Sequence, residues 1–139
     1  MVMELVEVVK GEHTAMETAQ AVYEFAKKIG KAPILLKKEI FGFVVNRILG
    51  AINREALYLV EQGVATPEEI DIGVTKGLGH PMGPFALMDL TGIDTSYLIG
   101  MERYRITGDP KDKPSPLVEE KYKKGEWGRK TGKGWYTYK

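Results

Sequence analysis

The 139-residue chain has no cysteine, which excludes disulfides, thiolate metal sites and a thiol nucleophile together. Its only imidazoles are His13 and His80, and a zinc site built on them would need carboxylate help. No metal is expected. Charge of one sign is also lacking: 20 Lys and Arg face 19 Asp and Glu, a formal net charge of +1, so no overall field draws the chain to nucleic acid or to an anionic membrane. The longest apolar run, Phe41 to Leu49, is broken by Asn46 and Arg47 and falls far short of a membrane span. The acidic, mixed N-terminus does not read as a signal peptide, so a cytoplasmic protein is expected. At 43% hydrophobic and 28% charged residues the composition is that of an ordinary globular protein. The length allows one domain, or one with a small appendage, and excludes a complete two-domain enzyme.

Glu4 to Val9 is rich in valine and reads as a strand, and Ala32 to Leu36 as a second one. Between them Ala19, Val22, Ala26 and Ile29 recur on one helical face with Phe25 beside them, and Thr14 and Glu17 have the spacing of a capping box. A strand, helix, strand unit with parallel strands follows, and two strands alone leave exposed edges, as in a piece of a larger sheet. After Gly42 the period becomes helical. Phe43 to Glu61 carries Val44, Ile48, Ile52, Ala56 and Leu59 on one stripe. Thr66-Pro67-Glu68-Glu69 is a strong helix start, running to about Lys76. Pro84 to Leu90 predicts a short helix, Asp94 a cap for one carrying Tyr97, Leu98, Met101 and Tyr104, and Ser115-Pro116 the start of a last helix to about Lys124. An irregular, glycine-rich tail closes on Trp135-Tyr136-Thr137-Tyr138.

Two glycine clusters invite a nucleotide reading, and both fail it. Gly77 to Gly83 has the wrong final spacing for a dinucleotide turn, follows a helix and holds Pro81 where an amide donor is wanted. Gly128 to Gly134 lacks one spacer residue of a phosphate-binding loop and puts Gly134 where a hydroxyl would meet magnesium. Dinucleotide binding by these residues alone is not expected.

The order of segments carries the signal. Met3-Glu4-Leu5-Val6-Glu7-Val8-Val9, Gly42-Phe43-Val44-Val45-Asn46-Arg47, Gly63-Val64-Ala65-Thr66-Pro67-Glu68-Glu69-Ile70-Asp71, Gly77-Leu78-Gly79-His80-Pro81-Met82-Gly83-Pro84-Phe85 and Gly128-Arg129-Lys130-Thr131-Gly132-Lys133-Gly134-Trp135-Tyr136 occur in that order. Together, over essentially the whole chain, they resemble the C-terminal part of NAD-dependent 3-hydroxyacyl-CoA dehydrogenases, including the 3-hydroxybutyryl-CoA enzymes. The resemblance implies a mainly α fold: residues 1–39 a strand-helix-strand remnant of the Rossmann domain, and residues 40–139 a helical domain similar to the C-terminal domain of 6-phosphogluconate dehydrogenase, giving dimer contacts and a wall of the substrate cleft. It implies oxidation of (S)-3-hydroxyacyl-CoA to 3-oxoacyl-CoA with NAD. The family's NAD loop and its catalytic histidine, in a His-Phe-Phe-Asn-Pro motif, match nothing in this sequence.

Oxidising a secondary alcohol needs a base for the hydroxyl proton, a task that suits an imidazole oriented by a carboxylate. By the resemblance Glu7 is that carboxylate and Asn46 the amide near the substrate's C3 oxygen. The plainer readings are a solvated acid on a strand edge for Glu7 and a structural hydrogen bond for Asn46. Arg47 is expected to ion-pair or snorkel, His80 to pack in its loop and His13 to be exposed. Lys121, Lys123, Lys124, Arg129, Lys130 and Lys133 read as a solvated face, with a role on CoA phosphates the weaker alternative, and Trp127, Trp135, Tyr136 and Tyr138 as anchors for the tail. One departure stands out: Phe41 occupies the position where the family usually has proline, which implies a junction either less constrained or more deeply packed.

The expected function is thus that of the C-terminal component of a 3-hydroxyacyl-CoA dehydrogenase, either a truncated product or one half of a split enzyme that docks onto a separate Rossmann polypeptide, and inactive without a Rossmann domain. It would take an acyl-CoA substrate and work as a homodimer, without nucleic acid or membrane. The alternative is a non-catalytic dimerisation or acyl-CoA-binding module.

Overall fold

The computed structural model describes residues 3–139. In chain order the elements are β1 (Leu5–Val9), α1 (Met16–Lys28), β2 (Ala32–Leu36), α2 (Val45–Glu61), α3 (Pro67–Gly77), α4 (Pro84–Thr91), α5 (Ile93–Thr107) and α6 (Pro116–Lys124), with 3-10 turns at Pro110–Asp112 and Arg129–Thr131. The described residues gather into two compact units that divide between Leu49 and Gly50.

In the first unit β1 and β2 pair in parallel, from Leu5 opposite Ala32 to Val9 opposite Leu36, and α1 packs on both strands. Its core is small: Val8 and Leu36 from the strands, Ala19 and Ala26 from α1. Two alanines seven residues apart share a helix face and let the helix backbone approach the sheet closely. The expected stripe is only half used, since Val22, Phe25 and Ile29 are largely exposed. The Thr14–Glu17 capping box does not form. The helix starts at Met16 with Ala15 as an unassisted N-cap, while the Thr14 amide closes a turn onto the Gly11 carbonyl at 3.1 Å, so its hydroxyl falls one residue before the cap.

The second unit buries Ala56, Leu57, Ile70, Phe85, Met88, Ile93 and Val118 together. At the start of α3 the Thr66 hydroxyl accepts from the Glu69 amide and the Glu69 carboxylate accepts from the Thr66 amide, the reciprocal box expected from the sequence. Ser115 caps α6 by accepting from the Leu117 amide at 3.2 Å. Asp94 is not a cap: Gly92 holds that position at φ 102°, and Asp94 sits in the first turn with the Lys130 ammonium 2.6 Å away. Burial disfavours the Asp94 charge, yet that ammonium and nearby backbone amides hold its carboxyl below the ordinary range.

Two buried aspartates organise this unit. Gly83, the N-cap of α4, has no side chain to offer, and the missing acceptor comes from α3: Asp71 Oδ1 accepts from the Phe85 amide and Oδ2 from the Ala86 amide, both at 2.9 Å. The Tyr136 hydroxyl donates to the same Oδ2 at 2.8 Å. Asp89 does for the tail what Asp71 does for α4. It accepts from the Trp135 amide at 2.9 Å, the Tyr136 amide at 3.0 Å and the Tyr138 hydroxyl at 2.8 Å. These carboxylates account for three of the glycines in the two clusters. A Cβ at Gly83 would run into Asp71, and one at Gly128 or Gly134 into Asp89. The tail aromatics are anchors, with Trp135 edge-on to Phe85 at 4.8 Å and Trp127 Nε1 donating to the Tyr122 carbonyl at 3.0 Å.

Candidate functional site

The first unit places the two site residues expected from the sequence on neighbouring pieces of chain. Helix α2 is entered through Phe43 and Val44 and begins at Val45, three residues whose side chains cannot accept a hydrogen bond, so its first amides have no local cap. The acceptor comes from β1. Glu7 Oε1 accepts from the Val44 amide at 2.8 Å and the Val45 amide at 3.2 Å. A carboxylate there also faces the positive end of the helix dipole. The Val44 carbonyl already accepts from the Ile48 amide at 3.1 Å, so the helical ladder begins at this residue.

The approach to this helix is bent and strained. Gly42 lies at φ 80° and Phe43, a non-glycine residue, at φ 47°. A left-handed conformation at a residue with a Cβ costs about 1–2 kcal/mol. A Cβ at Gly42 would sit 3.4 Å from Arg47 Cγ, so the arginine stem lies along this turn. Arg47 makes no ion pair among the described residues; its guanidinium reaches the Phe41 carbonyl at 3.4 Å. Phe41 is exposed.

Glu7 is half-buried and tied to α2, so it is not merely a solvated edge residue. Its second oxygen, Oε2, has no partner among the described residues. Asn46 stands in the first turn of α2 with its side chain exposed and, among the described residues, without a hydrogen bond. The structure thus brings Glu7 and the turn bearing Asn46 together. His13 and His80 are exposed and join no cluster, and no group of three His, Cys, Asp or Glu able to hold a metal occurs among the described residues.

The basic series of the second unit is largely neutralised. Lys121 and Lys133 pair with Glu126, Lys123 with Glu119, Lys124 with Glu120 and Lys130 with Asp94, while Arg129 lies over the Tyr138 ring. A cleft of about 390 Å³ beside Asp71 and Tyr136 is similarly spent, because its acid and its phenol are bonded to each other. The residues present do not fit a dinucleotide on their own: the β1–α1 turn holds a single glycine, Gly11, followed by the acidic Glu12. A cleft of about 610 Å³ lined by Lys10, Lys37, Lys38 and Phe41 lies beyond the C-terminal ends of both strands, but Glu12 and Glu39 line it too.

Sequence reading missed Asp71, Asp89 and the tie from Glu7 to α2. The available signal was a conflict: acids at apolar helix positions beside Ile70 and Met88, and glycines with no nucleotide to explain them.

The family described as 3-hydroxyacyl-CoA dehydrogenase, C-terminal domain, matches residues 42–138, and the NAD binding domain of the same family matches residues 1–40. The chain belongs to the 3-hydroxyacyl-CoA dehydrogenase family. It is 45% identical over 136 residues to a probable 3-hydroxybutyryl-CoA dehydrogenase of Deinococcus radiodurans, covering 98% of this chain and 49% of that one. To the mitochondrial hydroxyacyl-coenzyme A dehydrogenase of Homo sapiens it is 40% identical over 139 residues, covering 99% and 44%. The crystal structure of (S)-3-hydroxybutyryl-CoA dehydrogenase PaaH1 from Ralstonia eutropha superposes with a TM-score of 0.91 at 44% identity, covering 99% of this chain and 48% of that one. The chain spans about half the length of the relatives it matches. No described helix is long and apolar enough to cross a membrane.

Proposed function

We propose that this chain supplies the orienting carboxylate, Glu7, and the substrate-side amide, Asn46, to a 3-hydroxyacyl-CoA dehydrogenase that oxidises (S)-3-hydroxyacyl-CoA to 3-oxoacyl-CoA with NAD. Residues 1–39 correspond in this reading to the end of the NAD-binding domain and residues 40–139 to the helical substrate and dimerisation domain. The observation that carries it is the geometry at Glu7: one carboxylate oxygen is held by two helix amides and the other is left to accept from an imidazole. A carboxylate so fixed selects one tautomer of the ring and stabilises the cation formed when the ring takes the alcohol proton. The Asn46 side chain, exposed and unpaired, donates an N–H to the C3 oxygen without adding charge.

In this reading the imidazole and the dinucleotide cradle come from Rossmann-domain residues acting with these, whether carried on the same polypeptide or on another. Mixing or fusing the chain with the histidine-bearing NAD-binding segment of the Deinococcus radiodurans relative is expected to give NADH oxidation with acetoacetyl-CoA. Neither part alone should do so. Turnover by the 139-residue chain unaided, or no turnover with a correctly folded fusion, overturns the reading.

A second reading, a dimerisation or acyl-CoA-binding module without redox chemistry, is favoured by the apolar exposure on α5, where Leu98, Ile99 and Ile106 are each more than half exposed. Acyl-CoA binding by calorimetry that persists without any NAD-binding partner supports it. A homodimer is proposed under either reading.

A further inference from the structure

We propose that Glu7 is also the positioning residue for Asn46, so that one carboxylate sets both the base and the substrate amide. This rests on the reading of Glu7 and Asn46 given above and adds a role on the side of α2. The argument begins with what Asn46 lacks. Its side chain is exposed and makes no hydrogen bond among the described residues, so its direction is set by the backbone of the first helical turn. That turn cannot hold itself. Its opening residues are apolar and offer no acceptor, and the preceding Phe43 is in a left-handed conformation that resists the path the chain takes.

The Glu7 side chain, 37 positions earlier on β1, supplies the missing acceptor and holds the turn against that resistance. By accepting from consecutive amides, Oε1 fixes where the helix starts and in which direction its first turn leaves the strand. The link is polar, short and charge-assisted, and it ends one residue before Asn46. The two oxygens therefore have separate duties: Oε1 on the helix, Oε2 on the imidazole.

Substitutions can separate these duties. In Glu7→Gln the side-chain carbonyl still accepts from the Val44 and Val45 amides, while the charge facing the imidazole is gone. In Glu7→Met the volume is kept and the acceptor is lost. Amide hydrogen exchange on the 139-residue chain reads the clamp without any turnover. Glu7→Gln, which keeps the acceptor without its charge, is expected to retain most but not all of the protection at Val44 and Val45. Glu7→Met should speed exchange there by about tenfold or more, as loss of a charge-assisted bond implies, with β1 and the second unit unchanged. If Glu7→Met also loses protection in β1, Glu7→Asp decides, since its shorter side chain keeps the charge but cannot reach both amides. It should show the same local loss.

In the complemented enzyme, Glu7→Gln should lower kcat while leaving KM for acetoacetyl-CoA within about twofold, and Glu7→Met should lower kcat and raise KM together. Unchanged protection at Val44 and Val45 in both Glu7→Met and Glu7→Asp, or equal KM effects in Glu7→Gln and Glu7→Met, overturns the proposal. Because exchange is measured on the chain itself, failure of the clamp and failure of the dehydrogenase reading give different results.

Discussion

At the residue scale the chain relies on three carboxylates that each tie down a distant backbone segment: Glu7 the start of α2, Asp71 the start of α4, Asp89 the tail. A carboxylate accepting two or three hydrogen bonds leaves several donors orphaned when removed, so the effect of substitution exceeds that of one bond. Asp89→Asn puts an amide donor against the amides and phenol that now meet an oxygen. It is expected to destabilise the second unit by about 3 kcal/mol or more in urea titration, followed by the fluorescence of Trp127 and Trp135. Burial and the bond to Asp71 raise the Tyr136 hydroxyl well above its ordinary value, and burial with the bond to Asp89 raises that of Tyr138. A raised pKa in the folded state means this stabilisation is complete below the ordinary tyrosine value, near pH 10, and is lost as pH rises through the folded one. Stability should therefore decline in strong alkali, and Tyr136→Phe should flatten that decline while lowering stability at neutral pH; an unaltered alkaline profile would contradict the assignment. None of these ties was legible in the sequence, because an acid's partners are backbone amides many positions away. Only their shadow, glycine where no side chain fits, could be read.

At the element scale the outcome depended on whether a helix caps itself. The starts of α3 and α6 carry their acceptors locally, in Thr66 and Ser115, and both were legible to the residue. The start of α2 borrows its acceptor from β1, and there the periodicity predicted helix from Phe43 whereas the helix begins at Val45. Hydrophobic period reports which face is buried, not where the first amides find partners. At α1 the Thr-x-x-Glu spacing was present without the box, since the turn closed by Gly11 delays the helix. The contrast is measurable. Thr66→Ala should cost about 1 kcal/mol of stability in the second unit, whereas Thr14→Ala should stay within about 0.5 kcal/mol. The Glu69 carboxyl is held below its ordinary value by the Thr66 amide and hydroxyl. A depressed pKa contributes stability that is present above the unfolded value and is lost as pH falls through the folded one. Acid should thus weaken unsubstituted α3 more than the Glu69→Gln variant, as circular dichroism titration between neutral and acid pH would show.

On the scale of the whole molecule, the order of elements and the change from strand to helical period near Gly42 were legible, because patterning depends on local sequence. The compact units divide later, between Leu49 and Gly50. The tie from Glu7 gives a reason, since it binds the first turn of α2 to β1 and so keeps that turn with the strands. The sequence also could not say which apolar residues stay uncovered. Helix α5 exposes Leu98, Ile99 and Ile106, which with Glu102 lie along one side at spacings of one, four and eight residues from Leu98. Such a face gains by burial against another surface, and in a symmetric pair each copy presents the same residues to the other. If a second copy covers it, sedimentation should show a dimer that dissociates on dilution. Ile99→Glu with Ile106→Glu should shift the mass to that of a monomer with helix content unchanged, because neither side chain is in the buried core. A wild-type chain that sediments as a monomer throughout the micromolar range would leave the face without its proposed partner, whatever the fate of the catalytic reading.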